Sequence, residues 1–130
     1  MKQLILKQTI VLFTITLFLS CREEKRVKVY TDIEIEAESK KVNDFFQKSF
    51  DESVDLYPEF QTRLGIKKDY GKLNDNSPEA RERNLEINKK ELIWLTDSVN
   101  IDALSKDALL SYKLFKQNTE NSIDNYIYIL

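Results

Sequence analysis

The stretch Leu56-Tyr-Pro-Glu-Phe-Gln-Thr-Arg-Leu-Gly-Ile66 holds one of the chain's two prolines and one of its two glycines, and it separates two amphipathic runs. Proline at 58 disfavours helical geometry at Tyr57, and its missing N–H suits the first position of a new helix. Gly65 can take the left-handed conformation that closes a helix, after which Ile66 folds back towards Phe60. The stretch therefore predicts a short capped helix that forms an elbow between longer helices.

Upstream of the elbow, Val42, Phe45, Phe46, Phe50, Val54 and Tyr57 recur at steps of three and four. That spacing makes one apolar stripe on a helix from Ser39 to Leu56, with the phenylalanines as core contacts. Downstream, Gly71 and the Asn/Asp cluster make residues 67–76 a loop. Ser77-Pro78-Glu79 then starts a helix: the serine caps, the proline sits at the first helical position, and the glutamate meets the positive end of the dipole. It runs to about Thr96, with Leu85, Leu92 and Leu95 on one stripe and Ile87 and Trp94 beside it. Trp94, the sole tryptophan, reads as a packing anchor. After a brief turn over Asn100–Leu104, Ser105 and Asp107 cap a final helix carrying Ala108, Tyr112, Phe115, Thr119, Ile123, Tyr126 and Leu130, with Leu110 and Leu114 widening its face.

Ahead of these helices the period is two. Val27, Val29, Thr31, Ile33, Ile35 and Ala37 alternate with polar residues. A lone strand has nothing to pair with in a helical protein, so residues 21–38 read as an extended tether. Asp32, Glu34, Glu36 and Glu38 lack the glycine turn and ligand spacing of a calcium loop. The fold class is all-α: a leader helix, the tether, about three longer helices and the short capped one. The paucity of glycine and proline agrees, because many tight turns would need more of both.

The 130 residues suit one small domain, and with Lys2 and Lys7 in the leader the remaining 18 basic against 22 acidic side chains give a formal −4. Nucleic acid is not the natural partner of such a surface. The chain has no histidine and one cysteine, which excludes an internal disulfide and leaves no transition-metal site in this chain. Nucleophilic catalysis lacks a base, since Ser49, Ser53 and Ser111 have no histidine to serve them. Asp51 and Glu52, adjacent in sequence, point to different sides of a helix and make no carboxylate pair.

The first residues, Met1 to Lys7, are short and basic, and the run from Gln8 to Ser20 is uncharged and apolar. This is the pattern of a secretory leader over residues 1–20. Leu17-Phe-Leu-Ser-Cys21 resembles the bacterial lipobox, which makes Cys21 the lipidated mature N-terminus and the membrane a partner through its acyl chains. Arg22-Glu-Glu-Lys25 reads as a solvated tether, with a weaker similarity to the surface-export signals of Gram-negative lipoproteins. The expected location is the cell envelope, lipid-anchored at the outer membrane.

Tyr57-Pro58-Glu59, Thr62-Arg63-Leu64-Gly65, Leu73-Asn-Asp-Asn-Ser-Pro-Glu-Ala-Arg81 and Leu104-Ser105 before a Leu/Tyr-rich helix resemble, in order and spacing, the N-terminal region of the bacterial domain of unknown function 885 family. The resemblance covers about Val42 to Leu130. It implies a helical, zinc-peptidase-type protein whose His-Glu metal motif lies later in a much longer chain. Zinc is thus implied for the full-length family alone, and none of its ligands transfers to this chain. The ending Tyr126-Ile-Tyr-Ile-Leu130 carries an apolar face with no glycine cap or basic last turn. The resulting expectation is that residues 39–130 are an incomplete, non-catalytic N-terminal helical layer, whose partner is the missing C-terminal region. The alternative is a complete small helical lipoprotein that docks on another protein.

Overall fold

The computed structural model describes residues 28–126, and among these it is all-helical with no strand. The elements are α1 (Asp32–Leu56), the short α2 (Pro58–Arg63), α3 (Pro78–Ser98), a single 3-10 turn (Ile101–Ala103) and α4 (Lys106–Tyr126). No described helix is long and apolar enough to cross a membrane. The leader, Cys21 and residues 127–130 lie outside the described residues.

The tether reading is corrected from Asp32 onward, because α1 begins there and not at Ser39. The cause is a capping box: the Thr31 hydroxyl accepts the Glu34 N–H at 3.3 Å, and the Glu34 carboxylate accepts the Thr31 N–H at 2.8 Å. This reciprocal pair satisfies two backbone donors that an extended chain without a partner strand would leave to water. The apparent alternation does not match burial, since Val29 and Ile33 are 87% and 80% exposed. The stripe that counts is helical: half-buried Ile35, then buried Ser39 and Val42, at steps of four and three.

The elbow has the expected form. Tyr57 is extended and serves both as the last cap of α1 and as the N-cap of α2, with Pro58 at the first helical position. Gly65 has φ +78. The Ile66 N–H donates to the Gln61 carbonyl at 2.9 Å and the Gly65 N–H to the Thr62 carbonyl at 3.0 Å, the paired bonds of a Schellman cap. Gln61 is wholly buried and donates its side-chain amide to the Val54 carbonyl at 2.9 Å, fastening the elbow to α1. Glu59 and Asn74 exchange bonds, Glu59 N–H to Asn74 at 3.1 Å and Asn74 N–H to Glu59 at 3.2 Å, so the loop folds back on α2.

Both later helices start as their sequences predict. The Ser77 hydroxyl accepts the Ala80 N–H at 3.1 Å, and the Ser105 hydroxyl accepts that of Ala108 at 3.2 Å. Side-chain pairing runs from Lys41 with Ser98, through Phe45 with Trp94, to Ser49 with Glu91, which sets α1 and α3 antiparallel. The tight turn after α3 returns the chain, so α4 lies antiparallel to α3 and parallel to α1. Around that turn the Asn100 N–H donates to Glu38 at 2.8 Å, the Lys41 ammonium to the Ser98 carbonyl at 2.7 Å, and the Ser105 N–H to the Ser39 hydroxyl at 2.9 Å. These bonds satisfy the backbone groups left free by the helix ends.

The core is Val42, Leu95, Val99, Leu104, Ala108 and Tyr112, with Phe45, Phe46, Trp94, Leu109 and Phe115 packed against it. Each large apolar side chain fully buried there contributes roughly 1.5–3 kcal/mol. One detail of α4 departs from expectation. Leu110 and Leu114 do not widen the buried face; they are 59% and 58% exposed. Two and six residues beyond Ala108, they fall on the side opposite the Ala108–Tyr112–Phe115–Thr119 stripe, because a helix turns about 100° per residue.

Two substitutions test this account. Thr31→Ala should lower stability by about 1 kcal/mol and fray the first turn of α1, read as reduced amide protection at residues 32–35 in hydrogen exchange. Gly65→Ala meets no atom within 4 Å, so its cost is the backbone strain of positive φ alone. About 1 kcal/mol, measured by urea unfolding, is expected.

Candidate functional site

Beside the Phe45–Trp94 contact, α1 and α3 border a groove of about 480 Å³. Its wall is the stacked ring pair, with centroids 4.0 Å apart and planes 11° apart, continued by Ile87. Phe45, Ser49 and Glu52 on α1 face Ile87, Glu91 and Trp94 on α3, each set spaced three and four apart so that its members share one helix side. Lys41, Asp44, Lys48 and Lys90 border it. Further towards the elbow the interface stays polar, with Ser53, Asn84 and Asn88 around a smaller cavity of about 80 Å³.

The chemical centre of the groove is Glu91. The buried Ser49 hydroxyl donates to its carboxylate at 2.6 Å. Burial raises the Glu91 pKa above its ordinary value, the Ser49 bond pulls the other way, and the Glu52 charge adds to the rise. Among the described residues no lysine or arginine forms an ion pair with Glu91. The neighbouring charges are engaged elsewhere: Lys41 with Glu38 at 2.6 Å, Lys48 with Glu52 at 3.7 Å, and Asp44 with Lys40 at 2.5 Å.

A serine against a carboxylate brings a hydroxyl and a base together, yet Ser49 lies in the interior of α1. Backbone N–H groups there are committed to the helix, so none is aimed at a developing oxyanion. The arrangement suits binding of charge and not acyl transfer. Ser53 lines the smaller cavity, whereas Ser111 is exposed on α4. Asp51 accepts a bond from Gln47 at 2.9 Å and Glu52 faces Lys48, so the two carboxylates are not brought together. Of the acidic run 32–38, Glu34 belongs to the capping box and Glu38 to the turn after α3.

The zinc implied by the family resemblance does not fit these residues. The chain has no histidine, and among the described residues no three cysteine, aspartate or glutamate side chains gather around one point. Cys21, the expected lipidation site, lies outside the described residues.

Sequence reading missed Glu91 as a site residue. The signal was present in Ile87-x3-Glu91-x2-Trp94, which puts a carboxylate one turn from two apolar side chains on the same helix side. Its partner Ser49, one turn from Phe45 and Phe46, carries the same kind of signal. Comparison with known proteins adds no relative: no family model, curated sequence or solved structure matches the chain.

The raised Glu91 pKa has a defined consequence. In the acid range above the ordinary glutamate value the folded state holds more proton than the unfolded chain, so this group makes stability fall as pH rises through that range. Glu91→Gln keeps a hydrogen-bond acceptor for Ser49 without the charge. Thermal melts should therefore show the variant at least as stable as the parent at pH 7, with the gain shrinking when both are melted at pH 4.

Proposed function

We propose that this chain is the N-terminal, non-catalytic helical portion of a secreted, lipid-anchored metallopeptidase-like protein, built to pack against further helices. The observation that carries the docking role is the outward-facing leucine pair of α4. Leu110 and Leu114 stand one turn apart and more than half exposed, although helices normally give such positions to polar residues. Around the elbow, Leu64, Ile66, Tyr70 and Leu73 add exposed apolar side chains that a further layer would cover. The family resemblance over Val42 to Leu130 supplies the metallopeptidase class, by analogy alone.

In this reading Cys21 carries the lipid that holds the protein in the cell envelope at the outer membrane, and the helical body projects from it. The reactive chemistry belongs to sequence outside this chain. A second reading, a small helical lipoprotein that binds another protein, is favoured by the groove between α1 and α3, which offers a recessed charged site without catalytic geometry.

Reading the coding sequence past Leu130 in all frames and co-expressing its product with this chain tests the proposal. A His-Glu-bearing helical product that co-elutes with the chain is expected, and the pair Leu110→Lys with Leu114→Lys should abolish co-elution while each partner stays folded by circular dichroism. An unrelated neighbouring gene, or co-elution indifferent to both lysines, would count against it. Radiolabelled palmitate should enter the parent protein and not Cys21→Ser.

A further inference from the structure

We infer that the groove between α1 and α3 is a guanidinium site that receives an arginine side chain from a partner polypeptide, pairing it with Glu91 and packing it against Trp94. The groove's volume, about 480 Å³, falls in the range of pockets that hold a small ligand, roughly 300–1,000 Å³. It is too small for a helix and ample for one long side chain with its flanking backbone.

Charge complementarity selects the occupant. Glu91 is a partly buried carboxylate held by a single hydroxyl, with Glu52 near enough to oppose its ionisation. Of the other charged groups bordering the groove, Lys48 pairs with Glu52, Lys41 with Glu38 and the Ser98 carbonyl, and Asp44 with Lys40, while Lys90 makes no ion pair among the described residues; none of these lysines pairs with Glu91. The unmet demand is thus for one cation at Glu91. Ser49 occupies only part of the carboxylate, which has about four lone-pair sites in all, so a forked donor still has acceptors to meet.

The aromatic wall decides which cation. A guanidinium is planar, weakly hydrated and able to lie against an indole, whereas an ammonium is compact and strongly hydrated. Trp94 borders the groove within one turn of Glu91, so a single planar group reaches both. That the arginine comes from a polypeptide rests on the reading of this chain as a docking layer; the guanidinium site itself does not.

Trp94 is the only tryptophan, so its emission reports the groove directly. The full chain is titrated with N-acetylarginine amide, with the lysine analogue, and with the citrulline analogue, which keeps the shape and loses the charge. A saturable emission change with arginine, a weaker one with lysine and none with citrulline are expected. Glu91→Gln, its fold checked by circular dichroism, should weaken the arginine response about tenfold or more, as loss of a charged hydrogen bond requires. An equal response to citrulline, an unchanged half-saturation in a folded Glu91→Gln variant, or no response to arginine at tens of millimolar overturns the site. Arginine saturation in a chain that fails to co-elute with any downstream product supports the site and removes the docking layer as the arginine's source. Co-elution without an arginine response removes the site alone.

Discussion

The stack of Phe45 on Trp94, two ring systems from different helices lying 4.0 Å apart, is the contact on which both the packing and the groove depend. Such a ring pair contributes about 0.5–1.5 kcal/mol beyond its area burial and ties α1 directly to α3. From Phe45 the cluster continues to Phe115 on α4, edge-on at 5.6 Å, and Phe46 stacks on Phe115 at 4.8 Å. All three long helices therefore meet at one aromatic node. Small and medium side chains, Val42, Leu95 and Ala108, fill the space on the side of the turn that follows α3.

Moving from that node towards the elbow, the interface between α1 and α3 changes character. Ser49, Ser53, Asn84, Asn88 and Glu91 join Leu56, Tyr57 and Ile87 around a smaller cavity there. The hydrogen bond from Ser49 to Glu91 spans the interface at one point. A charge kept there without a counterion opposes folding, and burial raises the Glu91 pKa accordingly.

The outer surfaces show the same division. Surface ion pairs such as Lys116 with Glu120 at 2.9 Å keep most of α4 solvated and add little stability. Leu110 and Leu114 interrupt that pattern on the side of the helix that its own bundle does not use. Apolar residues exposed singly are common, but a pair one helical turn apart forms a contiguous strip.

Elements whose causes are local were legible in the amino-acid sequence. Pro58 and Gly65 bounded the elbow, Ser77 and Ser105 marked two helix starts, and the spacing of Val42, Phe45 and Phe46 named the inner side of α1, because caps, proline geometry and helical period act within a few residues. Thr31-x-x-Glu34 was an equally local signal, and the period-two alternation around it masked the start of α1. What only tertiary structure decided is which faces meet. Leu110 and Leu114 look like core until the packing of the described helices leaves both more than half exposed. Glu91 and Ser49 lie 42 residues apart and become a pair because the Phe45–Trp94 contact sets the register of two antiparallel helices, a relation that no short window of sequence contains.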